Sequence, residues 1–146
     1  MTTVNVYLNF NGNCEEAFLY YKSIFNTDKF QTFVKFSDMP PHEGAPPIPD
    51  EMKSNVMHVA LRISEETVLM GSDTGGEWAP YFKQGNNFSI SISTDSKEQA
   101  NHFFNKLSEG GTIKMPIMDT FWGEYFGMAE DKFGINWMVS HKLGEK

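Results

Sequence analysis

Two stretches of this chain carry the same pattern 83 positions apart, and that repetition restricts the possible folds more than any other feature. Ala17, Tyr20, Tyr21 and Ile24 fall at the i, i+3, i+4, i+7 spacing that gathers apolar side chains on one helix face. Ala100, Phe103, Phe104 and Leu107 repeat it. A start signal precedes each: Asn13 with Glu16, and Ser96 with Gln99, both in the spacing of a capping box. Ahead of each helix stands an alternating run, Val4, Val6, Leu8 and Phe10 in one case and Phe88, Ile90 and Ile92 in the other, with the period of a half-buried strand. The strands are offset by 82 rather than 83, which makes the second turn one residue longer. A shared strand, cap and helix face mark an internal repeat.

After each helix the chain is rich in strand patterns. The first half offers Phe30 to Ser37, Val56 to Ile63 and Thr67 to Gly71; the second offers Thr112 to Met118, Tyr125 to Ala129 and Asn136 to Ser140. Each half therefore reads β-α-β-β-β, and the expected fold is α+β, two tandem βαβββ modules within one domain of residues 1–146. Module one covers 3–73, a linker 74–86, and module two 87–143. Glu65-Glu66 joins the last two strands of the first half; Asp131 to Gly134 joins those of the second, with Gly134 where a turn can require positive φ. Asp38 to Ser54 holds five of the seven prolines, which cannot donate to a ladder, so an extended loop is inserted there, either a lid or a tolerated surface insertion. His42 lies in it.

Charge and cysteine usage narrow the partners. Acidic residues outnumber basic ones 19 to 12 and Arg62 is the one arginine, so nucleic acid is not an expected partner. No stretch approaches the roughly 20 apolar residues that cross a bilayer, and the N-terminus lacks a basic start with an apolar run, so no membrane partner is expected and the chain reads as cytoplasmic. Cys14 is alone; it can form no internal disulfide and supplies no zinc cluster.

The blocks Tyr7 to Ala17, Phe36 to Pro40, His58 to Ile63, Leu69 to Asp73, Thr120 to Gly123 and Asp131 to Met138, in this order, resemble the vicinal oxygen chelate superfamily of glyoxalases, bleomycin-resistance proteins and extradiol dioxygenases, and within it the PhnB-like branch. The resemblance implies curved mixed sheets around a cavity, often completed by a homodimer. It also implies, for the metal-dependent members, His, Gln and Glu ligands on the first and last strands of each module. Here the first strands offer Asn5, Asn9 and Asn87, and the last offer Val68, Leu69, Met70, Trp137, Met138 and Val139. Amides and apolar side chains are poor donors for a divalent ion, so neither a metal nor another cofactor is expected. Proteins of this branch have been labelled ubiquinone methyltransferase-like; no Gly-rich strand-to-helix cofactor loop occurs in this sequence.

Residues suited to chemistry are few. His58, on a strand near the proline-rich loop, suits a general base or a hydrogen-bond partner for a ligand, with Asp73 at the end of the same hairpin to orient it. The plain alternative is a strand histidine satisfied by a backbone carbonyl, with Asp73 capping the linker turn. No Ser-His-Asp or Cys-His arrangement stands out. For ligand contact the candidates are His58, Trp122, Tyr125, Met70 and Trp137, in an aromatic and methionine lining. Alternation sets Phe121 and Trp122 on opposite sides, while His141 belongs to a frayed strand end. Two functions remain open: metal-free binding or sequestration of a small molecule, and an enzyme of the superfamily with a non-standard site.

Overall fold

The computed structural model describes residues 2–40, 44 and 47–144; His42, Pro41 and Pro46 of the proline-rich loop lie outside the described residues. The chain divides into two compact units, Met1–Lys83 and Gln84–Lys146.

The first unit contains β1 (Val6–Phe10), α1 (Cys14–Ile24), β2 (Thr32–Lys35), β3 (Val56–Arg62) and β4 (Val68–Asp73), in sheet order β1-β4-β3-β2. β1 runs parallel to β4, and the other neighbours are antiparallel. The second unit contains β5 (Ile90–Ser93), α2 (Lys97–Ser108), β6 (Thr112–Asp119), β7 (Glu124–Glu130) and β8 (Asn136–Lys142), in order β5-β8-β7-β6. Again the first strand is parallel to the last and the rest are antiparallel. Two mixed four-stranded sheets with one connectivity are the duplicated βαβββ design expected from the repeat.

Each sheet packs its helix on one face. Leu8, Phe10, Val59, Leu61 and Leu69 are buried with Ala17, Phe18, Tyr21 and Ile24 of α1; Ile90, Ala129, Trp137 and Val139 are buried with Ala100, Phe104 and Leu107 of α2. The close approach depends on one glycine in each unit. A Cβ on Gly71 would stand 2.7 Å from Phe18 Cε1 and 2.9 Å from the Leu8 carbonyl oxygen; one on Gly127 would stand 2.7 Å from Phe104 Cε1.

Several local expectations need correction. Val4 and Phe88 precede their strands and are exposed, because the ladders begin at Val6 and Ile90. Phe18 and Cys14 complete the buried face of α1, whereas Tyr20 is only half-buried; Phe103 is likewise half-buried on α2. β8 continues through Lys142, so His141 is no frayed end: it pairs with Tyr125, and its Nδ1 lies 3.0 Å from the Thr94 carbonyl oxygen.

The caps differ as well. Ser96 Oγ accepts the Gln99 N–H at 3.0 Å and Gln99 Oε1 accepts the Asp95 N–H at 2.8 Å, while Asn13 makes no side-chain cap. Ser96→Ala is therefore expected to cost about 1 kcal/mol in urea unfolding, and Asn13→Ala no more than about 0.3 kcal/mol. Equal costs would contradict this assignment.

Candidate functional site

Cross-strand register determines which side chains share a sheet face. Leu8, Gly71 and Val59 form one row, and it faces α1. The neighbouring row, Tyr7, Met70, Ala60 and Thr32, therefore lies on the helix-distal face. His58, two residues before Ala60, and the paired Asn9 and Ser72 belong to that face too. There His58 Nδ1 lies 3.4 Å from Tyr7 Oη, and the two rings stack with centroids 5.8 Å apart and an interplanar angle of 24°. Tyr7 is exposed; His58 and Met70 are half-buried. Tyr7 was not singled out from the sequence. Its alternation with Leu8 shows which side it takes, but its meeting with His58 needs the order β1-β4-β3.

Asp73 lies on the other face. Its Oδ1 accepts the N–H groups of Gly12 at 2.8 Å and Cys14 at 3.0 Å, and its Oδ2 accepts the N–H of Val56 at 2.9 Å. The carboxylate, 5% exposed, joins the start of α1 to the start of β3. It does not orient His58, and it does not cap the linker turn. Thr74 caps that turn, giving both its N–H and its hydroxyl to the Phe10 carbonyl. Cys14, fully buried beside Asp73, has its thiol pushed far above the ordinary range by desolvation first, then by the charges of Asp73 and Glu15. A helix N-terminus activates no nucleophile here.

In the second unit Met115, Met128 and Met138 form a continuous row with Ser91, and all three methionines are half-buried. This row lies on the helix-distal face, because the rows of Gly127 and Ala129 on either side of it face α2. Phe126 shares the methionines' face and meets the Trp122 ring edge-on at 5.7 Å. Trp122 and Phe121 sit in the turn between β6 and β7 rather than on alternating strand positions; Phe121 is 97% exposed, and Trp122 Nε1 donates to Glu124 Oε1 at 3.1 Å.

Two ligand-contact candidates face the helix instead. Trp137 is 1% exposed and gives its indole N–H to Asp131 Oδ2 at 2.8 Å, which closes it to a ligand. The Tyr125 hydroxyl donates to Asn101 Oδ1 at 2.6 Å, and Lys97 Nζ stands 4.8 Å from its ring centroid. The structure thus brings His58 and Met70 together on one face, adds Tyr7, places Trp122 beside a second face, and assigns Tyr125 and Trp137 to packing against α2.

Of the positions where the resemblance implies metal ligands, Asn9, Met70 and Met138 lie on the helix-distal faces and supply an amide and two thioethers. Asn5 Oδ1 already accepts the Val68 N–H at 3.0 Å, Asn87 precedes β5 and is exposed, and Leu69, Trp137 and Val139 are buried toward the helices. Among the described residues no group of three or more His, Cys, Asp or Glu could hold a metal ion, and no helix is long and apolar enough to cross a membrane.

Two βαβββ units, each with this strand order, are the fold of the glyoxalase/bleomycin resistance proteins. A glyoxalase/bleomycin resistance protein from Albidiferax ferrireducens shares the fold with a TM-score of 0.60 at 17% identity, over 97% of this chain and 99% of that one. A family model described as 3-demethylubiquinone-9 3-methyltransferase matches residues 2–140, and the chain belongs to that family. A PhnB protein from Bacillus cereus superposes with a TM-score of 0.70 at 22% identity, over 98% and 100% of the two chains. Protein PA1353 from Pseudomonas aeruginosa is 35% identical over 98% of this chain and 99% of its own, with a TM-score of 0.82.

Proposed function

We propose that this protein binds or sequesters a small organic molecule without a metal ion, on helix-distal sheet faces lined by methionine and aromatic side chains. The observation that carries the reading is the row Met115, Met128 and Met138 with Phe126 on the same face. Thioethers adapt to irregular apolar ligands, and half-buried ones gain from being covered. The contacts of Asp73 point the same way. An enzyme built on His58 and Asp73 needs the two together, whereas both Asp73 oxygens accept backbone N–H groups on the opposite face. Methyl transfer, which the family description names, finds no support in the turn after β1, where the N–H groups of Gly12 and Cys14 go to Asp73. Homodimerisation in the cytoplasm belongs to the same proposal.

Thermal denaturation against a panel of aromatic and amphipathic small molecules tests it. A ligand at 100 times its Kd contributes about 2.7 kcal/mol, so at least one compound is expected to raise Tm by roughly 9 °C. The shift is expected to be the same after dialysis against a chelator. A flat response across the panel, or a shift abolished by the chelator, counts against the reading.

A further inference from the structure

We infer that the Tyr7–His58 pair is a hydrogen-bond anchor for an oxygen acceptor, carbonyl or carboxylate, carried by an otherwise apolar ligand; this rests on the small-molecule reading above. Tyr7 Oη and His58 Nδ1 stand 3.4 Å apart and the two rings stack; the anchor requires the hydroxyl to be the donor of this pair. With Nδ1 accepting, the proton of a neutral imidazole sits on Nε2. Among the described residues, Nδ1 to Tyr7 is the side-chain contact of His58, so Nε2 is open to a group from outside the chain. An acceptor on a ligand that covers this face would replace water at that donor.

The surroundings identify the acceptor's chemistry. Met70, half-buried on the same face, offers apolar contact for the body of the ligand. Among the described strand residues, no Asp or Glu belongs to this face: Asp73, next along β4, points to the helix side with its oxygens taken. A site for an amine would require a carboxylate. Arg62, two residues beyond Ala60, gives its guanidinium to the carbonyls of Ser64 and Glu65, at 3.4 and 2.8 Å. The imidazole, stacked on Tyr7, is the ring donor of this face.

The full chain would be titrated calorimetrically with three probes of one shape: 2-naphthoate, 2-acetylnaphthalene and 2-methylnaphthalene. His58→Phe keeps a flat ring and removes the donor. It is expected to weaken the naphthoate, the ketone or both about tenfold while leaving the hydrocarbon within about twofold. Which of the two oxygen probes responds separates carboxylate from carbonyl. Equal weakening of all three overturns the anchor and leaves the small-molecule reading standing; failure of all three to bind the unsubstituted protein overturns both. A second readout needs neither ligand nor variant. Long-range proton–nitrogen NMR of the histidines is expected to show His58 as the Nε2–H tautomer, and an Nδ1–H signal would refute the inference.

Discussion

Replacing Asp73 with alanine is expected to cost about 3–5 kcal/mol in urea unfolding. Three backbone N–H groups lose their acceptor at once, and each buried donor left unsatisfied costs about 1–3 kcal/mol before the chain relaxes or water enters. The three belong to different places in the chain, Gly12 and Cys14 at the start of α1 and Val56 at the start of β3, so no small backbone shift satisfies them together. Asp73→Asn retains one acceptor oxygen and turns an amide N–H toward a donor, and it should recover less than half of the loss. Hydrogen exchange adds a local check: the amides of residues 12, 14 and 56 should lose protection. A loss below about 1 kcal/mol would show that the carboxylate is not what holds these elements together.

A comparable loss, about 3–5 kcal/mol, is expected for Asp131→Ala in the second unit. Asp131 is 2% exposed; Oδ1 accepts the N–H groups of Phe133 at 2.8 Å and Ile135 at 3.1 Å, while Oδ2 accepts the indole N–H of Trp137. The carboxylate shapes the turn that reverses the chain between β7 and β8, where Gly134 takes a φ of 88°. Trp137→Phe separates the side-chain bond from the turn. It keeps an aromatic ring in the core, removes one donor, and is expected to cost about 1–3 kcal/mol. If the two substitutions cost the same, the turn contributes nothing beyond the indole bond.

The β-α-β-β-β order could be read from the chain because it is written in local periodicity: Leu8 against Tyr7, Ile90 against Ser91, and two helices with one spacing. Ser96 was readable for the same reason, since its partner Gln99 is three residues away. Asn13 had an equally good local signature, yet the cap came from Asp73, about sixty residues downstream. A carboxylate on another strand is a stronger acceptor for helix-start N–H groups than a nearby amide, and local sequence does not encode that competition. The same limit explains the site. His58 and Met70 could be nominated from residue type, but Tyr7 joins them through cross-strand register. Trp137 and Tyr125 resembled ligand contacts because an aromatic side chain on a strand has the same signature whether it faces a helix or the opposite side. Which side it takes depends on where the ladder starts.

The two helix starts also differ in when they can form. Everything that caps α2 lies within five residues, so its nucleus is complete as soon as that stretch of chain exists. The cap of α1 requires closure of a loop that reaches to Asp73, and during vectorial synthesis it must wait until β4 has left the ribosome. Until then the first helix exists only as a fraying segment, and the leading half of the newborn chain is the one exposed to misassembly and to chaperones.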